Sequence, residues 1–302
     1  MKKILYLGNF DNPYSDTTEN HIKYSFEKLG HQVIPINEKY FYQERNRILE
    51  EIHYEGIDMF FFHKAGLDVY DIPAQDIAEL LTYITCKKVF WFFDKVEVNV
   101  PERKREKWME LVIPFVDYGF LTDETWIRRH NYKNLYVLRQ GMGDKDLSLG
   151  KYRKEYDIPI AFLGAVYGER GEWVTTLKKE FENDFRVFNN IFGQNLKDFC
   201  ASCKILIGLK YPSDDFYWSS RIYQMIGNGG FLITPRAEGL KEEGWIEGKH
   251  YVGYKTFSEL VEKIKYYLEH EEERKKIQKQ GYEFCISNFT YTQRVKKLLE
   301  TI

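Results

Sequence analysis

The chain has 302 residues, 43% of them hydrophobic, so it can bury the cores of about two domains and lacks the composition of a disordered protein. Its 44 Lys and Arg residues nearly balance its 46 Asp and Glu residues, and a net charge of −2 gives no overall attraction to nucleic acid or anionic membranes. No stretch approaches the roughly 20 apolar residues of a membrane span, the apolar run in "MKKILYLGNF" is too short for a signal peptide, and the four cysteines make no disulfide framework, so we expect a soluble, cytoplasmic protein.

The first half of the chain alternates apolar strands with helical segments. Strand patterns occur at "KKILYLG", "QVIPIN", "IDMFFFHK", "KKVFWFFD" and "YGFLTD". Between them, segments such as "TENHIKYSFEKLGHQV" and "QDIAELLTYIT" have the apolar spacing of helices. Continuous apolar strands separated by helices are typical of parallel βαβ units that carry helices on both faces of the sheet.

A polar stretch at 143–159, "GDKDLSLGKYRKEYDIP", has no clear period and is the best candidate for a linker. After it the alternation restarts, with strands at "IPIAFLGA", "FRVFNN", "KILIGLK" and "GFLIT". The chain then ends in helical patterns, the last of them "TYTQRVKKLLETI". Two α/β halves predict a cleft between two domains, with ligands at the carboxyl ends of the strands.

The stretch "SSRIYQMIGNGGFLITPRAEGL", residues 219–240, combines features of a phosphate site. Ser219 and Ser220 precede a short helix pattern, where N-caps and free N–H groups occur. The guanidinium of Arg221 can bind a phosphate through two hydrogen bonds. The glycines at 227, 229 and 230 let the chain turn and let a ligand approach the backbone. The alternative is an ordinary capped helix followed by a glycine turn.

Two other motifs have simpler interpretations. "CASC", residues 200–203, would need two more ligands to bind zinc, and no matching pair is present, so we expect both cysteines to pack in a core. In "SDDF", a polar loop is favoured over a sugar contact for Asp214 and Asp215, and neither is a convincing metal ligand.

The block from about 205 to 302 resembles the group 1 glycosyltransferases of the GT-B fold, in particular the branch that includes spore-maturation-type proteins. The matching features are Ser-x-Arg, a helix of small residues and Gly-Gly-Phe before a strand, followed by Glu-Leu, Lys-Ile and Tyr-Tyr-Leu in "SELVEKIKYYLEH". Upstream, "AFLGAVYGERGEWVTTL" is similar to the start of the family's donor domain. The first half matches more loosely, through "VFWFFDK" and "VDYGFLTD".

The resemblance implies a GT-B architecture of two Rossmann-like domains that face each other across a cleft. Residues 1–148 would form the acceptor-side domain and residues 149–284 the domain that binds the nucleotide sugar. Residues 285–302 would form a terminal helix that crosses back to the N-terminal domain.

Carried over by position, the resemblance also places donor-binding residues. The donor diphosphate would lie near Gly164, Tyr167 and Arg170, and near Ser219, Ser220 and Arg221. Gln224 would face the ribose, where classical members have a glutamate, and Phe216 occupies the position of a second family glutamate. Because an amide can bond hydroxyl groups, Gln224 is compatible with donor binding.

The implied activity is transfer of a hexosyl or pentosyl group from a UDP- or GDP-linked sugar to a hydroxyl acceptor. The acceptor is open: a glycan, a protein, a small molecule or a modified DNA base. The resemblance implies retention of configuration. We expect no metal and no other cofactor, because arginines such as Arg170, in a catalytic role, and helix N-termini can stabilise the leaving diphosphate.

The acceptor hydroxyl would lose its proton either to the donor phosphate, in a retaining reaction, or to a base of the protein. Candidate bases are the polar residues that follow the strands of the first half: Asn9, Asp11, His63, Lys64, Asp94, Lys95 and Asp123. Asp94 is the preferred catalytic candidate, because the resemblance includes the aromatic strand before it. Two alternatives remain open. One is a phage-type glycosyltransferase acting on hydroxymethylated DNA bases, and the other is an inactive nucleotide- or sugar-binding protein of the same fold, which the departures at Gln224 and Phe216 favour.

Overall fold

The computed structural model describes residues 1–11, 16–54, 56–63, 72–96, 104–166, 168–209 and 214–302. The chain divides into two compact units. Unit 1 consists of Met1–Gln140 together with Tyr291–Ile302, and unit 2 consists of Gly141–Thr290.

Strands and helices alternate along the described chain. The strands are β1 (Lys3–Gly8), β2 (Gln32–Asn37), β3 (Met59–His63), β4 (Lys87–Phe92), β5 (Tyr118–Leu121), β6 (Leu135–Val137), β7 (Ile160–Leu163), β8 (Phe185–Phe188), β9 (Ile205–Ile207), β10 (Leu232–Pro235) and β11 (Val252–Tyr254). The helices are α1 (Thr18–Lys28), α2 (Phe41–Tyr54), α3 (Ala74–Tyr83), α4 (Lys104–Val112), α5 (Glu124–His130), α6 (Glu169–Phe181), α7 (Gly193–Ser202), α8 (Arg221–Gly227), α9 (Glu238–Glu242), α10 (Phe257–Glu269), α11 (Glu271–Asn288) and α12 (Tyr291–Thr301).

Unit 1 is built on a parallel sheet whose described strands run in the order β2-β1-β3-β4-β5-β6. Because the strands are parallel, β1, β3, β4 and β5 all end at the same edge of the sheet. The residues of β3 are buried on both faces, which explains why this strand is a continuous apolar run rather than an alternating one.

Both faces of this sheet are covered by helices. One face packs against α1 and the terminal helix α12, through Ile22, Phe26, Tyr291, Val295 and Leu298. The other face packs against α2, α3 and α4. The last helix of the chain therefore belongs to the core of the first unit.

Unit 2 contains a second parallel sheet, with its described strands in the order β11-β10-β9-β7-β8. One face packs against α7 and α8 and the other against α6 and α10. Helix α10 begins with a capping pair, in which Thr256 Oγ1 accepts the backbone N–H of Glu259 at 3.2 Å. The prediction of two α/β halves with parallel sheets is confirmed.

The polar stretch 143–159 lies in unit 2 and is held against α7. The buried carboxylate of Asp198 accepts hydrogen bonds from the Lys151 backbone N–H at 2.9 Å and from Arg153 Nε at 3.0 Å. Gly150 lies so close to the backbone of Lys197 that a Cβ at this position would overlap it. Specific bonds to one helix therefore fix this segment.

The Cys-x-x-Cys pair packs in the core of unit 2, as predicted. Cys200 is fully buried in α7, and Cys203 is the C-terminal cap of that helix. Burial raises the pKa of both thiols, that of Cys203 to about 12, so both stay protonated at neutral pH.

Among the described residues, no helix is both long enough and apolar enough to cross a bilayer.

Candidate functional site

The carboxyl end of β7 holds a glycine that the local packing requires. Gly164 follows this strand with φ at +149°, a conformation that side-chain-bearing residues rarely adopt. Its N–H donates to the Phe188 carbonyl at 2.9 Å. A Cβ here would lie 2.5 Å from Nη2 of Arg221 and 3.2 Å from Cζ of Phe162. Only a glycine leaves room for the guanidinium over the backbone.

Two arginines predicted to bind the donor meet on one aromatic ring. The guanidinium carbon of Arg221 lies 5.3 Å from the ring centroid of Phe162, and that of Arg170 lies 5.5 Å from it. Both distances are within the range of a cation–π contact. Arg221 Nε also donates to the carbonyl of Leu163 at 2.9 Å, and Arg170 Nη1 donates to the carbonyl of Ala165 at 2.8 Å. These bonds fix both charges at the end of β7.

The two arginines differ in exposure, which separates their roles. Arg170, the second residue of α6, is only 5% exposed, and its bond to Ala165 holds the loop between β7 and α6. Arg221 is half-exposed, so part of its guanidinium group can reach a ligand. Like charges on one ring repel each other, and a bound anion would offset that repulsion.

Of the two serines expected to cap α8, the one at the N-cap position makes no capping bond, and the one before it does. Ser220 occupies the N-cap position with helical backbone angles and makes no side-chain capping bond. Ser219 is exposed, and its Oγ accepts the N–H of Arg221 at 3.3 Å. Both hydroxyl groups lie next to Arg221 in the chain.

Gln224 lies one turn after Arg221 on α8 and is half-buried. Its backbone carbonyl accepts bonds from the N–H and the side chain of Asn228, at 3.2 and 2.7 Å. Within the described ranges, its side-chain amide has no hydrogen-bond partner. That amide can therefore bond a ligand without breaking a bond of the protein.

The residues before these serines form a polar turn, as predicted for the "SDDF" segment. Asp214 Oδ1 accepts the backbone N–H of Phe216 at 2.9 Å, and Asp214 is bridged to Tyr217. This local bonding stabilises the turn in the way that aspartate does in many loops.

The glycines at the end of α8 do not make room for a ligand, and that prediction is wrong. A Cβ on Gly227 would overlap Sδ of Met142, and one on Gly229 would lie 2.6 Å from Leu149. A Cβ on Gly230 would lie 2.5 Å from Leu206. The protein's own side chains fill the space that these glycines leave.

Two predicted residues, Lys64 and Tyr167, lie outside the described residues. Within the described ranges there is also no group of three or more His, Cys, Asp or Glu side chains placed to hold a metal ion.

In unit 1, the predicted base Asp94 follows β4. Its side chain is 29% exposed, and its Oδ2 lies 3.5 Å from Nη2 of Arg105. Asp123, which follows β5, is buried and serves the backbone: its two oxygens accept the N–H groups of Val96 and Trp126, at 2.9 and 3.1 Å. Asp123 is therefore the N-cap of α5, and its carboxylate is committed to structure.

His63 and a residue that the sequence analysis missed lie together at the same edge of this sheet. Nε2 of His63 is 3.6 Å from Oε1 of Glu19, in the first turn of α1. Glu19 does not follow a strand, and acidic residues are common in the first turn of helices. Phe162 was missed for a similar reason, because it sits within an apolar strand pattern and is indistinguishable there from a core residue.

Comparisons with known proteins give the chain a family. The glycosyl transferase-like family matches residues 147–300, just over half of the chain. A comparison with curated proteins found no match.

Solved structures resemble the chain over nearly its whole length. HepE from Anabaena, in complex with UDP-glucose, is 12% identical with a TM-score of 0.68, and both chains are covered in full. Sucrose-phosphate synthase from Thermosynechococcus elongatus is 10% identical with a TM-score of 0.68, covering 100% of this chain and 99% of that one. The lipopolysaccharide outer core galactosyltransferase WaaB is 9% identical with a TM-score of 0.57, covering 99% of each chain. The predicted two-domain α/β GT-B fold is thereby confirmed, and the chain belongs to the glycosyl transferase-like family.

Proposed function

We propose that this protein transfers a sugar from a nucleotide-diphosphate donor, with UDP as the first candidate nucleotide, to a hydroxyl acceptor. The observation that carries the proposal is the pair of guanidinium groups on Phe162, beside Gly164, at the carboxyl end of β7. Ligands of open α/β sheets bind at this edge. The choice of UDP is supported by HepE, which was solved with UDP-glucose.

The chemistry of transfer explains why two arginines suit this position. As the bond between the sugar and the diphosphate breaks, negative charge grows on the leaving nucleoside diphosphate. Fixed positive charges beside the leaving diphosphate oxygen lower the energy barrier of the transfer, because they need not reorganise as the negative charge grows. In this proposal the half-exposed Arg221 contacts the diphosphate, and Arg170 keeps its predicted catalytic role through its charge and its hold on the loop carbonyl of Ala165.

The remaining donor contacts follow from neighbouring residues. Ser219 and Ser220 donate hydroxyl hydrogen bonds to phosphate oxygens, and the amide of Gln224 bonds the ribose hydroxyls. Tyr167 remains a predicted diphosphate neighbour. With the charges of Arg170 and Arg221 supplied by the chain, the proposed reaction uses no metal.

The finer assignments rest on the family resemblance. The block of Ser-x-Arg and Gly-Gly-Phe supports the spore-maturation-type branch and retention of configuration. The sugar of the donor decides whether a hexosyl or a pentosyl group is moved. Asp94 is the acceptor-side base in the sequence prediction.

The donor site can be tested by binding alone. UDP, GDP and ADP, each with its common sugar conjugates, are titrated while thermal unfolding is followed, since a ligand that binds only the native state raises its stability. A hydrogen-bonded charge contributes about 1.5–3 kcal/mol, so Arg221→Ala should weaken the preferred nucleotide about 10- to 150-fold.

Arg186→Ala is the matched control. Arg186 is an exposed arginine on β8, so the variant removes the same charge from the same unit and leaves the Phe162 ring untouched. Its affinity should equal that of the wild type. The absence of any stabilisation at millimolar nucleotide, or an equal loss in both variants, would contradict the donor site.

A further inference from the structure

Unit 1 contains a buried polar cluster separate from the donor residues. Its members are His63 at the end of β3, Glu19 in the first turn of α1 and Tyr6 in β1. Tyr6 belongs to the core that α1 and α12 cover, the His63 ring lies 4.2 Å from that of Phe93 in the same core, and Glu19 lies 3.6 Å from His63. Burying polar groups destabilises the folded state unless they are hydrogen-bonded, so such a cluster is a candidate for a functional role.

The hydrogen bonds of His63 determine which nitrogen exchanges its proton. Nδ1 lies 2.9 Å from the carbonyl oxygen of Trp91, and because a carbonyl can only accept, Nδ1 carries a hydrogen. The proton that the ring gains or loses is therefore on Nε2. That atom faces Oε1 of Glu19 at 3.6 Å.

Exposure assigns different roles to the two partners. The His63 side chain is 2% exposed and cannot reach a ligand directly, whereas that of Glu19 is 14% exposed. The carboxylate is thus the member of the pair that a ligand can reach, with the imidazole behind it.

Tyr6 adds an independent sign of a missing partner. Its side chain is fully buried, and its hydroxyl has no hydrogen bond to any of the described residues. A buried hydroxyl without a hydrogen bond destabilises the folded state. Burial, and then the charge of Glu19, raise the pKa of Tyr6 well above its usual value, which places the hydroxyl in the field of that carboxylate.

The backbone at Gly8 leaves room for the side chains of Tyr6 and Glu19. A Cβ at this residue would lie 3.0 Å from Cε2 of Tyr6 and 3.2 Å from Cγ of Glu19. The glycine at the end of β1 therefore lets the tyrosine ring and the carboxylate approach the backbone together. A ligand hydroxyl beside Glu19 can donate to its oxygen and serve as a partner for the cluster.

We propose that Glu19 binds the acceptor hydroxyl and takes its proton, and that His63 is the positioning residue that orients the carboxylate and then receives the proton on Nε2. The inference rests on the proposed function and names the residues that act on its hydroxyl acceptor. It assigns to Glu19 the role that the sequence prediction assigns to Asp94.

The step balances in atoms and charge. The O–H bond of the acceptor breaks, and its proton moves to Glu19. The acceptor oxygen forms a bond to the anomeric carbon, while the bond from that carbon to the diphosphate breaks and its electron pair leaves on the nucleotide. Passage of the proton to Nε2 leaves an imidazolium beside a carboxylate. The face of attack, independently of this proton, decides between retention and inversion.

Other titratable groups surround the pair and enter any pH profile. They are Tyr6 itself, Glu38 after β2, Tyr291 of α12, and His21 of α1, whose Nε2 lies 2.7 Å from Oδ1 of Asp16. These groups are the same in every variant compared below, so their contribution to the pH profile cancels when two variants are compared.

The test compares Glu19→Gln with Glu27→Gln in the full chain. Glu27 lies on the same helix, pairs with Lys23 at 2.6 Å and is 42% exposed, so it controls for loss of a carboxylate on α1. UDP release from UDP-glucose is followed with water, glucose, galactose or N-acetylglucosamine as the acceptor. Loss of a general base lowers kcat/KM about 100-fold or more in Glu19→Gln, whereas Glu27→Gln and the UDP affinity of both variants stay unchanged.

His63→Gln tests the positioning role. It should lower kcat, leave the KM for UDP-glucose near that of the wild type and shift the acidic limb of the pH profile. Because His63 is buried, this variant can fail to fold. In that case Glu19→Asp, which keeps a carboxylate, is the test: higher kcat/KM than that of Glu19→Gln supports the proposal. Equal turnover of Glu19→Gln and the wild type would overturn it.

A ring titration separates this inference from the proposed function. The imidazole nitrogens of His63 are followed by NMR, in the wild type and in Glu19→Gln, from pH 5 to 9. A changed midpoint supports the proton-sharing pair, and an identical titration overturns it, even if UDP-glucose is not turned over. Failure of every nucleotide to bind would instead contradict the donor site and leave this readout valid.

Discussion

Replacing Gly164 with alanine tests the donor site through its backbone. The substitution puts a Cβ 2.5 Å from Nη2 of Arg221 and 3.2 Å from Cζ of Phe162, on a backbone with φ at +149°. Backbone strain of this kind costs about 1–3 kcal/mol. The Nη2 end of the Arg221 side chain must also shift, and we expect this to disturb the bond from its Nε to the Leu163 carbonyl at 2.9 Å.

The expected effect on binding follows from that displacement. If Arg221 contributes a charged hydrogen bond to the diphosphate, its movement costs about 1.5–3 kcal/mol, or about 10- to 150-fold in UDP affinity. Gly164→Ala should therefore weaken UDP about as much as Arg221→Ala does. The double variant should be no weaker than Arg221→Ala alone, because both changes remove one interaction.

Calorimetric titration of UDP into the four proteins measures this cycle, and chemical unfolding gives the stability of each. Gly193→Ala is the matched control: Gly193 has φ at +57° and nothing within 4 Å of its Cβ position, so it reproduces backbone strain without a collision. It should lose stability and keep its UDP affinity. Unchanged binding in Gly164→Ala, or losses that add in the double variant, would refute the reasoning.

Three further predictions concern other parts of unit 2. Gln224→Ala should weaken UDP about 3- to 10-fold and remove any preference for UDP over 2′-deoxy-UDP, and an unchanged preference would contradict the ribose assignment. Burial lowers the pKa of His250 from 6.5 to about 4, so the native state resists a proton that the unfolded state takes up. Stability should therefore fall as the pH drops from 6.5 to 4, by about 1–2 kcal/mol because solvent screens part of the charge, and urea unfolding of His250→Gln should lack this part of the dependence. Asp198→Asn should lower Tm and speed proteolysis within 143–159, because the carboxylate binds Lys151 and Arg153, whereas Asp184→Asn, on an exposed turn, should change neither.

The fold could be predicted because its strands are continuous apolar runs. "MFFFH" is buried on both faces as β3, and only a sheet covered by helices on both sides gives such a run. Strand lengths follow less directly from the pattern: the predicted strand "IDMFFFHK" is observed only at Met59–His63. The order of the strands depends on contacts between distant segments, which local patterns do not encode.

The candidate site was only partly predictable, since residue type does not reveal which atoms meet. The resemblance placed Arg170 and Arg221 each near the donor diphosphate. The ring that their guanidinium groups share belongs to an apolar strand, and the sequence does not reveal it. The glycines after α8 were expected to face a ligand, yet they face Met142, Leu149 and Leu206. A glycine pattern shows that something approaches closely and does not show what.

The two units share a local arrangement, an aromatic residue two positions before a glycine at the end of a strand, but the charged side chain beside the glycine is acidic in unit 1 and basic in unit 2. β1 ends in Tyr6-Leu7-Gly8, and β7 runs through Phe162 and Leu163 into Gly164. Because side chains alternate along a strand, the aromatic ring two residues before each glycine lies on the same face as the space that the glycine leaves.

A side chain from a later helix enters each of these spaces. In unit 1 it is Glu19, with Cγ 3.2 Å from the Cβ position of Gly8, and in unit 2 it is Arg221, with Nη2 2.5 Å from that of Gly164. A carboxylate suits a hydroxyl group that must lose a proton, and a guanidinium suits a diphosphate that gains charge. If the two charges were exchanged, the carboxylate would repel the diphosphate and the guanidinium could not take the proton of the acceptor hydroxyl. A charge-reversed Arg221→Glu variant should accordingly lose UDP affinity more completely than Arg221→Ala.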